Sequence, residues 1–242
     1  MKTGRVRSNI GGIFAGCVAI AAVCAAEEAA ADPVGSASLD IASAYVFRGV
    51  TLNDGLVAQP SLTVSPLPGL SLGVWGNLDL DDYGGKLNGG QFSEVDLTAS
   101  YAFEIEKLQL TLGYAEYLYP GAGAEADREA TLSLALPLPL APTVSAYYGL
   151  GGAVEKNTYV ELGVSHEIPI GEDLGLTLGA ALGYAIPDDG DSGFSHYTAQ
   201  ASLGYKALAL TATYYGQLND KVLSDENYDQ ELVVALKLSM EF

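Results

Sequence analysis

The chain has 242 residues, enough for one domain or one closed sheet, with 11 Lys and Arg against 30 Asp and Glu and a formal net charge of −19. That balance excludes a nucleic-acid binder, which needs a basic patch to neutralise phosphates, and it excludes a basic face for docking on anionic lipid. It suits export and the attraction of cations.

The N terminus reads as a Sec-type signal peptide over 1–31. Lys2, Arg5 and Arg7 precede the apolar run "IGGIFAGCVAIAAVCAA", and Ala29 and Ala31 stand before a cut ahead of Asp32. Both cysteines, Cys17 and Cys24, fall in this segment, so the mature chain 32–242 offers neither a disulfide nor a thiol site. The alternative is a lipoprotein acylated on one of them, for which "FAGC" and "AAVC" are poor matches.

Beyond residue 32 there is no run of about 20 apolar residues, hence no transmembrane helix. Period-two alternation recurs instead, in pieces of about ten residues divided by Gly, Pro, Asn and Asp clusters. In chain order the predicted strands are 36–48, 57–65, 70–79, 92–103, 108–118, 127–136, 143–150, 157–168, 174–185, 194–205, 208–217 and 231–242. Short connections such as "SPLPG", "EIEK" and "KA" alternate with long ones such as "GVTLNDGL", "DDYGGKLNGGQ" and "LNDKVLSDENYDQ". This asymmetry predicts an all-β fold: a transmembrane antiparallel up-and-down β-barrel of about twelve strands, with both termini at the short-turn end.

Parity assigns the faces. In 70–79, Leu70, Leu72, Val74 and Leu78 oppose Ser71, Gly73, Trp75, Asn77 and Asp79. Aromatics on the apolar parity gather at the two strand ends, as in the interfacial girdles of a membrane barrel. Tyr45, Phe47, Tyr114, Tyr148, Tyr184, Tyr197 and Tyr214 lie toward the long loops, and Tyr101, Phe103, Tyr205 and Phe242 toward the short turns. A soluble lipocalin-like barrel, the alternative, would bury its rings near mid-strand. The other parity is mostly Gly, Ser, Thr and Ala, which suits a crowded lumen.

The inner-parity charges are the candidate pore lining: Asp40, Arg48, Asp79, Glu94, Asp96, Asp127, Glu129, Glu161, Glu231 and Lys237. Rings of acids favour cations, and a facing Arg sets up a transverse field across a constriction. Arg48 has a second reading, in which it satisfies a local acid and fixes the first loop. Catalysis is not expected. The histidines, His166 and His196, do not fall beside both a nucleophile and an orienting acid. Glu94 and Asp96 share a face at i and i+2 and read as polar lining. No metal or cofactor is expected, because "DDGDSG" (188–193) lacks the full calcium-loop spacing and its closing Glu.

At "AYVFRGVTLNDG" (44–55), "WGN" (75–77), "EVD" (94–96), "YLYPG" (117–121) and the terminal Phe242, the sequence resembles the TorF family of proteobacterial outer-membrane porins. It departs at Ala44, where the family more often has Asp. The resemblance implies a small outer-membrane barrel with a proposed pore function and transfers no binding or catalytic residue. Phe242 is similar to the C-terminal aromatic read by the outer-membrane assembly machinery. The expected partners are therefore that machinery, outer-membrane lipid and lipopolysaccharide, and small solutes. The expected function is a porin for passive diffusion of cations or neutral solutes. Its alternatives are a non-conducting structural or surface-interaction barrel and a soluble periplasmic binding barrel.

Overall fold

Alternating side chains need a sheet with two unlike faces, and a sheet this long escapes its unpaired edges by closing on itself. The computed structural model describes residues 35–242; the predicted signal peptide 1–31, with Cys17 and Cys24, lies outside the described residues. The strands are β1 Gly35–Ala42, β2 Tyr45–Phe47, β3 Val50–Asn53, β4 Val57–Leu67, β5 Leu70–Asp79, β6 Gln91–Ile105 and β7 Leu108–Leu118. They continue as β8 Asp127–Ala135, β9 Thr143–Gly151, β10 Thr158–Pro169, β11 Leu174–Ile186, β12 Gly193–Tyr205, β13 Leu208–Gln217 and β14 Leu232–Glu241.

Twelve of these strands, all but β2 and β3, form one closed antiparallel barrel in sequential order. Closure pairs β1 with β14, Ser36 opposite Glu241 through Ala42 opposite Ala235. Gly35 and Phe242 exchange backbone hydrogen bonds of 2.9 and 3.0 Å at the seam. Both ends of the described chain thus meet at the short-turn rim. The other rim carries the long connections.

The faces follow parity. Leu39, Leu62, Leu72, Val74, Leu97, Leu112, Leu132, Leu162, Leu178, Leu210 and Leu236 are exposed around the outside. Tyr101, Tyr114, Tyr148, Tyr197, Tyr205, Tyr214 and Phe242 are exposed on the same face, while Phe103 and Tyr184 are half-buried. Inside, small hydroxyls bridge neighbouring strands at 2.8 Å: Ser38 to Ser61, Ser133 to Ser145, and Ser202 to Thr211. Ser36 and Thr98, on the inner parity, remain exposed, so the lumen toward the short turns is an open chamber.

The first predicted strand is the one that breaks. It ends at Ala42 rather than 48, and residues 45–53 turn inward as the hairpin β2–β3. Tyr45 and Phe47 are therefore not girdle residues. They are 3 % and 2 % exposed and form a core with Ala42 and Val57, against Leu52, Trp75, Tyr119 and Val233. Once the chain leaves the wall at Ser43, side-chain parity no longer reports which residues face outward.

Candidate functional site

The hairpin is tight because its tip, Arg48-Gly49, has positive φ at both residues (47° and 84°). That is the requirement of a two-residue turn matching the strand twist. Gly49 is needed twice over: besides its φ, a Cβ there would stand 2.8 Å from His196 Cγ. Arg48 has no such freedom, and a left-handed non-glycine residue costs about 1–2 kcal/mol. Its side chain accounts for the placement.

In the ring of strands β9 lies diametrically across from β1, flanked by β8 and β10. The hairpin leaves the wall between β1 and β4 and reaches that far side. Arg48 Nη1 and Nη2 donate to Glu129 Oε1 and Oε2 on β8 at 2.8 and 2.9 Å, a bidentate pair 3 % exposed on each side. Its guanidinium carbon lies 4.4 Å from the ring centres of Tyr147 (β9) and Tyr159 (β10) and 4.6 Å from that of Phe47. Planar, delocalised guanidinium suits both the carboxylate fork and the ring faces. Tyr117 donates to Glu129 Oε2 at 2.8 Å. The hairpin is a bar across the barrel, anchored at its tip.

The near end is tied as well. Asn53 and Asn77 donate to Asp79 Oδ1 at 2.7 and 2.9 Å, and Tyr45 donates to Glu94 Oε2 at 3.0 Å. Trp75 packs on Tyr45 with ring centres 5.5 Å apart. From above, Thr51 Oγ1 accepts the backbone N–H groups of Asp229 and Gln230 at 3.1 and 2.9 Å. Tyr83, in the loop after β5, donates to Asp229 at 3.2 Å. Burial raises the Tyr83 hydroxyl above its ordinary pKa, so it keeps the proton that bond uses.

The predicted lining residues fall into three groups. Arg48, Asp79, Glu94, Asp96, Asp127 and Glu129 are 1–7 % exposed and gather around the hairpin. Asp127 accepts from Tyr119 at 2.8 Å, whereas Glu94 Oε1 and Asp96 Oδ1 are buried with no hydrogen-bond donor among the described residues. Asp40, Lys237 and Glu161 lie lower, in the more open lumen: Lys237 Nζ is 3.5 Å from Asp40, and Tyr159 donates to Glu161 at 3.1 Å. Glu231 stands exposed just before β14, apart from the network. Arg48 ties the first loop as one reading expects, but through Glu129, an acid 81 residues away and not a local one.

His196 packs against Tyr159, ring centres 6.3 Å apart and nearly parallel, and its Nδ1 is 3.0 Å from Ser195 Oγ. That hydroxyl also lies 3.3 Å from the Gly183 carbonyl, a second acceptor for its proton. A cavity of about 30 Å³ beside Arg48 is bordered by Ser195, Val222 and Leu223. It has room for one or two waters. Among the described residues no group of three or more His, Cys, Asp or Glu is arranged to hold a metal ion.

Sequence reading missed the aromatic half of the site. Tyr117, Tyr147 and Tyr159 sit on the inner parity, among small residues, and that contrast was the available signal. The four internal motifs turn out to be one constellation: "AYVFRGVTLNDG" is the hairpin, "WGN" supplies Trp75 and Asn77, "EVD" supplies Glu94 and Asp96, and "YLYPG" supplies Tyr117 and Tyr119.

Among solved structures the chain is similar to the NanC porin, with 12% identity over 84% of this chain and 98% of that one and a TM-score of 0.45. It is also similar to LpxR from Salmonella typhimurium, with 11% identity over 86% and 100% of the two chains and a TM-score of 0.46. A third is OccK5 (OpdH) of Pseudomonas aeruginosa, with 11% identity over 84% and 63% and a TM-score of 0.38. No curated protein matches the chain. Residues 26–238 match the family Gcw_chp, described as a bacterial protein of unknown function, and the chain belongs to that family.

Proposed function

We propose that this barrel spans a bacterial outer membrane and acts as a narrow pore of porin type for small solutes, cations and neutral molecules before anions. The observation that carries the reading is the exposed Leu and Val belt around the whole barrel, with Tyr and Phe at its two rims. Such a continuous apolar surface is incompatible with water and fits hydrocarbon. The TorF resemblance of the motifs supports the same reading. Selectivity follows from five buried carboxylates around the constriction, Asp79, Glu94, Asp96, Asp127 and Glu129, against the single guanidinium of Arg48. A pore needs no catalytic group.

Refolded protein in a planar bilayer under a KCl gradient should give a reversal potential of the sign for K⁺ preference. An anion-selective potential would overturn the selectivity. The second reading, a non-conducting barrel, is favoured by the packed hairpin, and absence of unit conductance in wild type would select it. The assembly role of Phe242 belongs to the same proposal. Its backbone closes the seam on Gly35 while its ring stays 55 % exposed. Deleting it should lower the amount of inserted, heat-modifiable protein without changing the conductance of what does insert; undiminished insertion would remove the role.

A further inference from the structure

The surroundings of Arg48 divide between hairpin and wall, and the wall's share is complete in itself. Glu129 presents both carboxylate oxygens to the guanidinium, and Tyr117 holds that carboxylate from behind with a 2.8 Å hydrogen bond. Tyr147 and Tyr159 place ring centres 4.4 Å from the guanidinium carbon. All four come from adjacent strands, β7 to β10, which pair continuously with one another and need nothing from the hairpin to stand where they do. Phe47 alone, of the residues touching the guanidinium, belongs to the hairpin. A bidentate acid with two aromatic faces recognises a planar cation specifically; a spherical ammonium uses neither the fork nor the stacking.

We propose that Tyr117, Glu129, Tyr147 and Tyr159 form a binding site for guanidinium-bearing cations, for which Arg48 is the tethered occupant. The arginine holds the site as an intramolecular ligand at an effective concentration in the millimolar range or above. Free guanidinium compounds compete with it, and a competitor that wins releases the tip of the bar. The consequence for permeation rests on the porin reading, but binding itself is measurable in detergent and stands apart from conduction.

The test uses the Arg48→Ala variant, which empties the site, and guanidinium chloride below 20 mM, far under denaturing concentrations. Guanidinium should raise the thermal midpoint of Arg48→Ala saturably, while equal NaCl or methylammonium chloride should not. Combining Arg48→Ala with Glu129→Gln should abolish the response. Wild type, whose site is filled, should need at least tenfold more guanidinium for a comparable change in tyrosine fluorescence. If Arg48→Ala does not fold, Arg48→Lys carries the same test, because its ammonium leaves the fork and ring faces unmatched. No saturable, guanidinium-specific shift in the folded variant would overturn the proposal, as would an equal response in the double variant. Failure of conductance with the binding intact would sink the porin reading alone.

Discussion

Excising residues 44–55 should turn the constricted barrel into an open one. Ala42 and Val57 are partners across β1 and β4, so the deletion leaves Ser43 and Leu56 as a two-residue connection of the length a hairpin needs. Replacing that pair by Asn-Gly supplies the positive φ values such a turn demands. The wall should survive, because every wall strand keeps both neighbours. What disappears is the bar, with Tyr45, Phe47, Arg48 and Asn53. Unit conductance in planar bilayers should rise severalfold over wild type, and cation preference should strengthen, since Arg48 leaves and the carboxylates stay. Conductance equal to wild type would mean that the constriction lies elsewhere.

Glu129→Ala should be the most destabilising single substitution in the site. It leaves Arg48 buried against three rings without its hydrogen-bonded counter-charge, and removing one partner of a buried pair costs about 3–5 kcal/mol. Arg48→Ala should cost less, because Glu129 keeps the Tyr117 hydroxyl as donor. The denaturant midpoint of the refolded barrel measures both, and a Glu129→Ala variant within about 1 kcal/mol of wild type would show that the pair does not hold the bar. Breaking the pair should also raise conductance toward that of the excised barrel, linking stability and permeation through one contact.

The wall was legible in the sequence because a barrel strand is a local object. Its alternation, its turn residues and its length are all written within ten positions, and ends such as Leu108 and Tyr205 fall where they are expected. The hairpin was legible only in part. "YVFRGVTLN" carries alternation on both sides of an Arg-Gly pair, which is a hairpin signal, but Tyr45 and Phe47 also continue the parity of β1 and so passed for girdle residues. No local pattern states that a loop folds inward. That outcome depends on Glu129, 81 residues away, and on rings from two further strands. The buried acids were recognised as inward-facing by parity, but their depth was not, because burial came from the bar that covers them.

The seam and the bar together constrain the order of assembly. The tip of the bar can dock only when β8, β9 and β10 are in place, yet its base emerges beside β1, the strand that must still accept β14. Early in folding the hairpin has nothing to grip, and contacts this distant in sequence carry a large loop-closure cost. Its anchoring therefore belongs to the late stage at which the open sheet curls round and Gly35 meets Phe242. A barrel that closed first would have to admit the bar through its loop-covered rim. A sheet that curls around the bar encloses it, so the constriction is in place from the moment the barrel closes.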